Sequence, residues 1–295
     1  MKLRDYIMTL AHQPLALHKP ALQSFGQEYG DSTLEHMIEA AAVRANPRAA
    51  GAVAVVPLIG IIQQREDIWT RLGLATSTER FIANMQMAVA DPNIKAIIVD
   101  VDSPGGTVSG TPEASDALFQ MRGQKPMVGI SNTLNASAAY FITSALDEVI
   151  AAPSSYTGSI GVWTLLFDET EFWASMGIKI DMVKAGKWKA LGNPYEPITA
   201  EVRERFQDSI NDAYEVFIKA VARNRGVKIT DVRSGYGEGD VLNAERARAA
   251  GLVDRVATLS ETLARFGAAP QSPGTPARAE AQRDLARARF VEDVA

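Results

Sequence analysis

The chain has 295 residues, a net charge of −5, 46% hydrophobic and 22% charged residues, and no cysteine. Such a composition belongs to globular proteins that bury a real core, and the length fits one large α/β domain or two ordinary ones. The missing cysteine excludes disulfides, thiolate nucleophiles and cysteine-ligated zinc, and the acidic balance gives no electrostatic case for nucleic acid, which calls for a basic face.

Met1-Lys2-Leu3-Arg4 is basic, but the apolar stretch after it, Tyr6 to Ala11, is too short for a signal-peptide core. Residues 1–51, broken by Pro14, Pro20 and Pro47, read as an N-terminal arm with one helix near Leu34–Val43. Val53 to Ile62 is apolar and β-branched, the pattern of a buried strand. The apolar run around it, from Ala49, contains Gly51, Pro57 and Gly60 and falls short of the roughly 20 residues of a membrane span. A cytoplasmic protein without a membrane span is the expectation.

Beyond it, strands and helices alternate. A helix is predicted over Ser77–Ala90, a strand over Ala96–Val101, and a helix from Thr111, where a capping hydroxyl, Pro112 and Glu113 mark a start, to Arg122. A strand over Pro126–Ile130, a helix over Ser137–Leu146 and strands over Val149–Ala152 and Ile178–Val183 follow. This order predicts an α/β fold with a mainly parallel sheet flanked by helices. The longest helix begins at Thr199 with an apolar stripe of Val202, Phe206, Ile210, Tyr214, Phe217 and Val221, and Gly226 ends it. From Gly267 a Pro/Gly/Ser-rich linker leads to an Ala-, Arg- and Glu-rich tail, Ala277–Val294, that reads as helical. The domain expectation is thus an arm (1–51), a catalytic domain (52–266) and a linker with tail (267–295).

The only histidines are His12, His18 and His36, all in the arm, so a base in the core is Lys, Asp, Glu or Tyr unless the arm is recruited. Four segments could carry chemistry. Asp102-Ser103-Pro104-Gly105-Gly106 reads as a turn directly after a buried strand, where two glycines let backbone N–H groups face a cavity. Asn135-Ala136-Ser137-Ala138-Ala139-Tyr140 sets a serine among small residues at a helix N-terminus, where the dipole favours negative charge. Thr157-Gly158-Ser159-Ile160-Gly161-Val162 is a glycine-flanked turn, and Gly186-Lys187-Trp188-Lys189 places two lysines around a tryptophan. Singly, each has a plain structural explanation: a turn, an N-cap serine, a basic loop.

In this order the four motifs resemble the signal peptide peptidase A family of Ser/Lys proteases, of the ClpP/crotonase superfamily. Asp240-Val241-Leu242 and Ala250-Gly251-Leu252-Val253-Asp254 resemble the family's C-terminal signature, and the likeness spans roughly residues 52–260. The resemblance implies a ClpP/crotonase-like core of repeated β-β-α units, no cofactor and no metal. It implies Ser137 as nucleophile, Lys189 as general base with Lys187 as competitor, and Ser159 as a hydroxyl orienting the amine. Gly105, Gly106 and Ala138 become the oxyanion-hole residues. Where the family usually has two glycines after the nucleophile, this chain has Ala138-Ala139.

Within the family, the lysine motif running into Gly192-Asn193-Pro194-Tyr195, the prolyl arm and the C-terminal tail are most similar to the capsid-assembly (prohead) proteases of tailed phages. That likeness implies a homo-oligomer in the host cytoplasm or procapsid. Its polypeptide substrate would be a scaffold or capsid protein, and its own C-terminal tail is a second candidate. Three alternatives stay open: a soluble host protease that degrades signal peptides, a crotonase-like acyl-CoA enzyme, and a catalytically silent capsid subunit.

Overall fold

The computed structural model describes residues 15–17 and 47–268. The three histidines, the helix expected near Leu34–Val43 and the tail beyond Ala268 lie outside them. Strands and helices alternate as expected around one sheet. The strands are β1 (Leu15–Leu17), β2 (Arg48–Ala50), β3 (Val53–Gln63), β4 (Ala75–Ser77), β5 (Ala96–Thr107), β6 (Met127–Ala136), β7 (Glu148–Ala151), β8 (Tyr156–Gly158), β9 (Val241–Asn243) and β10 (Arg255–Val256). The main order is β10-β7-β6-β5-β3-β2, parallel except where β2 turns back on β3 through Gly51. The helices are α1 (Ile68–Arg71), α2 (Thr78–Ala90), α3 (Thr111–Met121), α4 (Ala138–Thr143), α5 (Thr170–Ser175), α6 (Ala200–Arg225), α7 (Ile229–Gly235), α8 (Ala244–Ala250) and α9 (Leu259–Arg265). β3, β4 and α2 form a β-β-α unit; in the next two repeats one long strand, β5 or β6, precedes the helix.

Side-chain alternation along the strands builds two cores, because successive residues point to opposite faces. Ala54, Val56, Ile97 and Val99 join Phe81, Leu118, Phe141 and Phe217 on one face, under α2, α3, α4 and α6. Val53, Val55, Ile98, Val128 and Ile150 join Leu263 of α9 on the other. The end of α3 meets the end of α4 through Arg122, whose guanidinium donates to the carbonyls of Ala145, Leu146 and Asn224. Beside it the buried Asn224 of α6 donates to Ser115 Oγ and Ser144 Oγ, each at 2.9 Å. Asn224→Ala removes both bonds and leaves a small void; a loss of about 2–3 kcal/mol is expected, measured by urea denaturation.

The start of α3 is one residue earlier than expected: Gly110 is its N-cap, with no side-chain cap, and the hydroxyl of Thr111, the first helical residue, donates to Thr107 O. Three further elements differ from expectation. Ile178–Val183 is not a strand: it lies outside the sheet and finds no neighbour to pair with among the described residues, and Ile178, Ile180 and Val183 are exposed. Strand propensity is realised only when the backbone groups are paired and the side chains packed. Asp102–Gly106 is not a turn but the last part of β5, held by β3 through Ile61↔Gly105 and Ile62↔Gly106. β6 likewise runs on past Ile130 to Ala136, through polar residues that read as a strand end.

At the far end of the sheet, Arg225 holds Asp254 with two bonds of 2.6 and 2.9 Å, and the carboxylate also accepts from Val149 N–H. Burial alone would raise the Asp254 carboxyl, but the Arg225 and Val149 hydrogen bonds outweigh it and hold it below the usual carboxylate range. A depressed folded-state value means this contribution is present above the unfolded value of about 3.9 and disappears as pH falls through the folded one. Tm is therefore expected to fall below about pH 4, with a shallower fall in Asp254→Asn, as followed by thermal denaturation between pH 2 and 6.

Candidate active site

Ser137 sits between the last residue of β6 and the first of α4, with φ 57° and ψ −119°, in a region L-residues rarely adopt. A non-glycine held there costs on the order of 1–3 kcal/mol and persists only where its surroundings fix it. Here they do. Ser137 N–H donates to Gly158 O at 2.7 Å, and Phe141 N–H caps back onto Ser137 O at 2.8 Å. The result is a sharp strand-to-helix turn with a hydroxyl at its apex, beside the orphan N–H groups of a helix start. Ser137 is 1% exposed, and its Oγ lies 3.5 Å from the carbonyl of Gly161, which accepts from it.

The neighbouring parts are fixed by residues whose role the motifs did not reveal. Ser103 Oγ donates to Gly60 O at 2.6 Å and accepts from Gly105 N–H at 3.1 Å, so that N–H is engaged in this state. Gly106 must be glycine, since a Cβ there would stand 1.7 Å from Ile62 O. Ala138 is the first residue of α4, and its N–H has no acceptor within the helix. Ser159 repeats the strain of Ser137, with φ 54°, and its N–H donates to Asp240 O at 2.6 Å. The Asp240-Val241-Leu242 motif thereby acquires a physical role, because β9 pairs with β8 and pins the Ser159 turn. Ser159 lines a cavity of about 400 Å³ with Val162, Trp163, Tyr214 and Glu238.

Tyr140 is structural. Its hydroxyl is buried and donates to Leu252 O at 2.8 Å, and burial pushes the phenol far above its ordinary range, so it serves as no base.

Within one chain the lysine motif is not brought to Ser137. Residues 162–199 form an excursion in which no side chain is fully buried. Lys184, Lys187 and Lys189 line a separate cavity of about 360 Å³ there. Lys184 is paired with Glu196 at 2.6 Å and Lys187 with Glu201 at 3.0 Å, while Lys187 also lies 4.2 Å from the Trp188 ring centre. Lys189 is exposed, and among the described residues it has no carboxylate partner and no bond to Ser137. The same excursion exposes Phe172, Met176, Ile178 and Val183, the last at 97%. Among the described residues no cluster of His, Asp and Glu could hold a metal ion, and no helix is long and apolar enough to cross a membrane.

A strained serine at a strand-to-helix turn, flanked by helix-start and glycine N–H groups, is the arrangement of a serine hydrolase. The family comparison agrees. Residues 120–270 match the model of Peptidase family S49, and the chain belongs to that family of serine peptidases. It is 29% identical to the head-tail preconnector protein GP5 of Enterobacteria phage P21 over 243 residues, covering 79% of this chain and 48% of that protein. It is 28% identical to the capsid assembly protease C of Escherichia phage lambda over 211 residues, covering 72% of this chain and 48% of that protein. The chain thus spans about half the length of these two relatives. The 1510-N membrane-bound stomatin-specific protease matches more loosely, at 18% identity and a TM-score of 0.46 over 74% of this chain and 86% of that one.

Proposed function

We propose that the chain is an endopeptidase working through a Ser/Lys dyad, and that the strained turn at Ser137 is the observation that carries this reading. Neutral Lys189 takes the Oγ proton, Oγ attacks the peptide carbonyl, and the oxyanion is held by N–H groups of Gly106 and Ala138, with Gly105 nearby. The lysine returns the proton to the leaving amine, and water, deprotonated by the same lysine, then releases the acyl group. Ser159 orients the amine. Lys189 is preferred to Lys187 from its place in the motif shared with the family.

A lysine becomes a base when it is desolvated, and Lys189 is exposed in the single chain. We therefore propose that the dyad closes in an oligomer, where the apolar face of the 162–199 excursion is covered and the lysine is carried to a serine. An exposed patch of this kind marks an interaction surface. The catalytic unit would be residues 52–266, with arm and tail as accessories. By analogy with the two phage relatives, the substrate would be a scaffold or capsid protein during head maturation, in the procapsid or host cytoplasm.

The test is a time course on an unfolded protein with wild type, Ser137→Ala and Lys189→Ala, read by mass spectrometry. Fragments from wild type alone support the dyad. Fragments from all three would assign the catalysis to other residues, and inertness of all three, repeated with a scaffold protein, would favour a silent subunit.

A further inference from the structure

Beyond Ser103 the two edges of β5 have different neighbours. β3 holds one edge through Gly106, whereas β6 leaves the other at Ser103↔Asn135, two residues before Ser137. Onto that vacated edge β1 adds as an antiparallel strand, with Leu15↔Thr107, Ala16↔Gly106 and Leu17↔Gly105. Antiparallel pairing puts the C-terminal end of β1 nearest Ser103 and the strand end that carries Ser137. A segment of the chain's own arm is thus paired, backbone to backbone, with the glycines beside the nucleophile. Ser137 is meanwhile 1% exposed, so no substrate carbonyl reaches its Oγ until something moves away.

An extended polypeptide that adds to a sheet edge draws its affinity from main-chain hydrogen bonds, and needs that edge free. We propose that Leu15–Leu17 is a tethered occupant of the edge on which a polypeptide substrate is laid, so that the arm holds the site closed in cis. The inference rests on the peptidase reading above. Because it belongs to the same chain, the segment competes intramolecularly, and substrates that bind more weakly than its effective concentration, on the order of millimolar for linked segments, are excluded until the arm leaves.

The experiment uses the full chain in the Ser137→Ala background, so that binding is read without turnover. Adjacent residues of a strand direct their N–H groups to opposite sides, so of Ala16→Pro and Leu17→Pro one removes an N–H that pairs with β5. A fluorescent peptide with the sequence of residues 13–20 is the probe, read by anisotropy. At least about tenfold tighter binding is expected in the variant that removes a paired N–H, together with faster hydrogen exchange at the amides of Gly105, Gly106 and Thr107, which face β1. Equal affinity, or unchanged exchange in both variants, would overturn the proposal. With Ser137 restored, the variant that removes a paired N–H is expected to raise kcat/KM on an unfolded protein about tenfold, mainly through KM. Lack of turnover in every form would refute the dyad, while the binding and exchange results would still decide the arm's role.

Discussion

Alanine in place of Ser137 is expected to lower cleavage of an unfolded protein at least about a thousandfold, because the oxyanion donors alone cannot supply a nucleophile. Tm is expected to stay level or rise, since Ser137→Ala retains the backbone bonds to Gly158 O and Phe141 N–H and gives up one 3.5 Å side-chain contact. Lys189→Met is expected to match that loss of turnover without destabilising the chain, since the side chain is exposed and has no carboxylate partner among the described residues. Lys187→Met is the informative control. It breaks an exposed pair with Glu201, worth little in stability, and should retain most activity. Initial rates and differential scanning fluorimetry on the same preparations separate the two effects. A Lys187→Met chain as inert as Lys189→Met would move the base to the other lysine.

The second large effect is expected at Gly106. The added methyl of Gly106→Ala would meet Ile62 O at 1.7 Å, against backbone that cannot swing aside. β3 and β5 must separate locally, at a cost of about 3 kcal/mol, visible as a lower urea midpoint. The same displacement moves the proposed oxyanion donor, so kcat should fall by a further factor of about a hundred among the molecules still folded. A variant with wild-type stability would show that the two strands are looser here than their register indicates.

Much of this architecture can be read from residue order, because burial writes a period into the sequence. The apolar runs of β3, β5 and β7 and the capped helix starts at Ser77 and Thr199 appear where the patterns put them. Failures occur where local pattern and tertiary context part company. Ile178–Val183 alternates like a strand but has no edge to join among the described residues. Residues 103–106 carry Pro and two Gly, the signature of a turn, yet they stay in β5 by pairing with β3 across a register shift, with Gly105 at a positive φ of 97°. The strain at Ser137 and Ser159 leaves no mark in composition, since both are ordinary serines whose φ is imposed by Gly158 O and Asp240 O. β1, three residues long and distant from β5 in sequence, carries too little pattern to be recognised.

The Asn224–Ser115–Ser144 knot has a mechanical consequence. It rivets the C-terminal half of α6 to the helix that follows Ser137, and Phe217 lies against Phe141 of that helix at 4.6 Å between ring centres. α6 is 26 residues long, about 39 Å at the usual rise, and its other half stands with the exposed excursion that bears Lys189. One helix thus spans the whole distance from the packing behind the Ser137 turn to the loop that bears Lys189, which touches it through Lys187–Glu201 and Arg205 over Trp188.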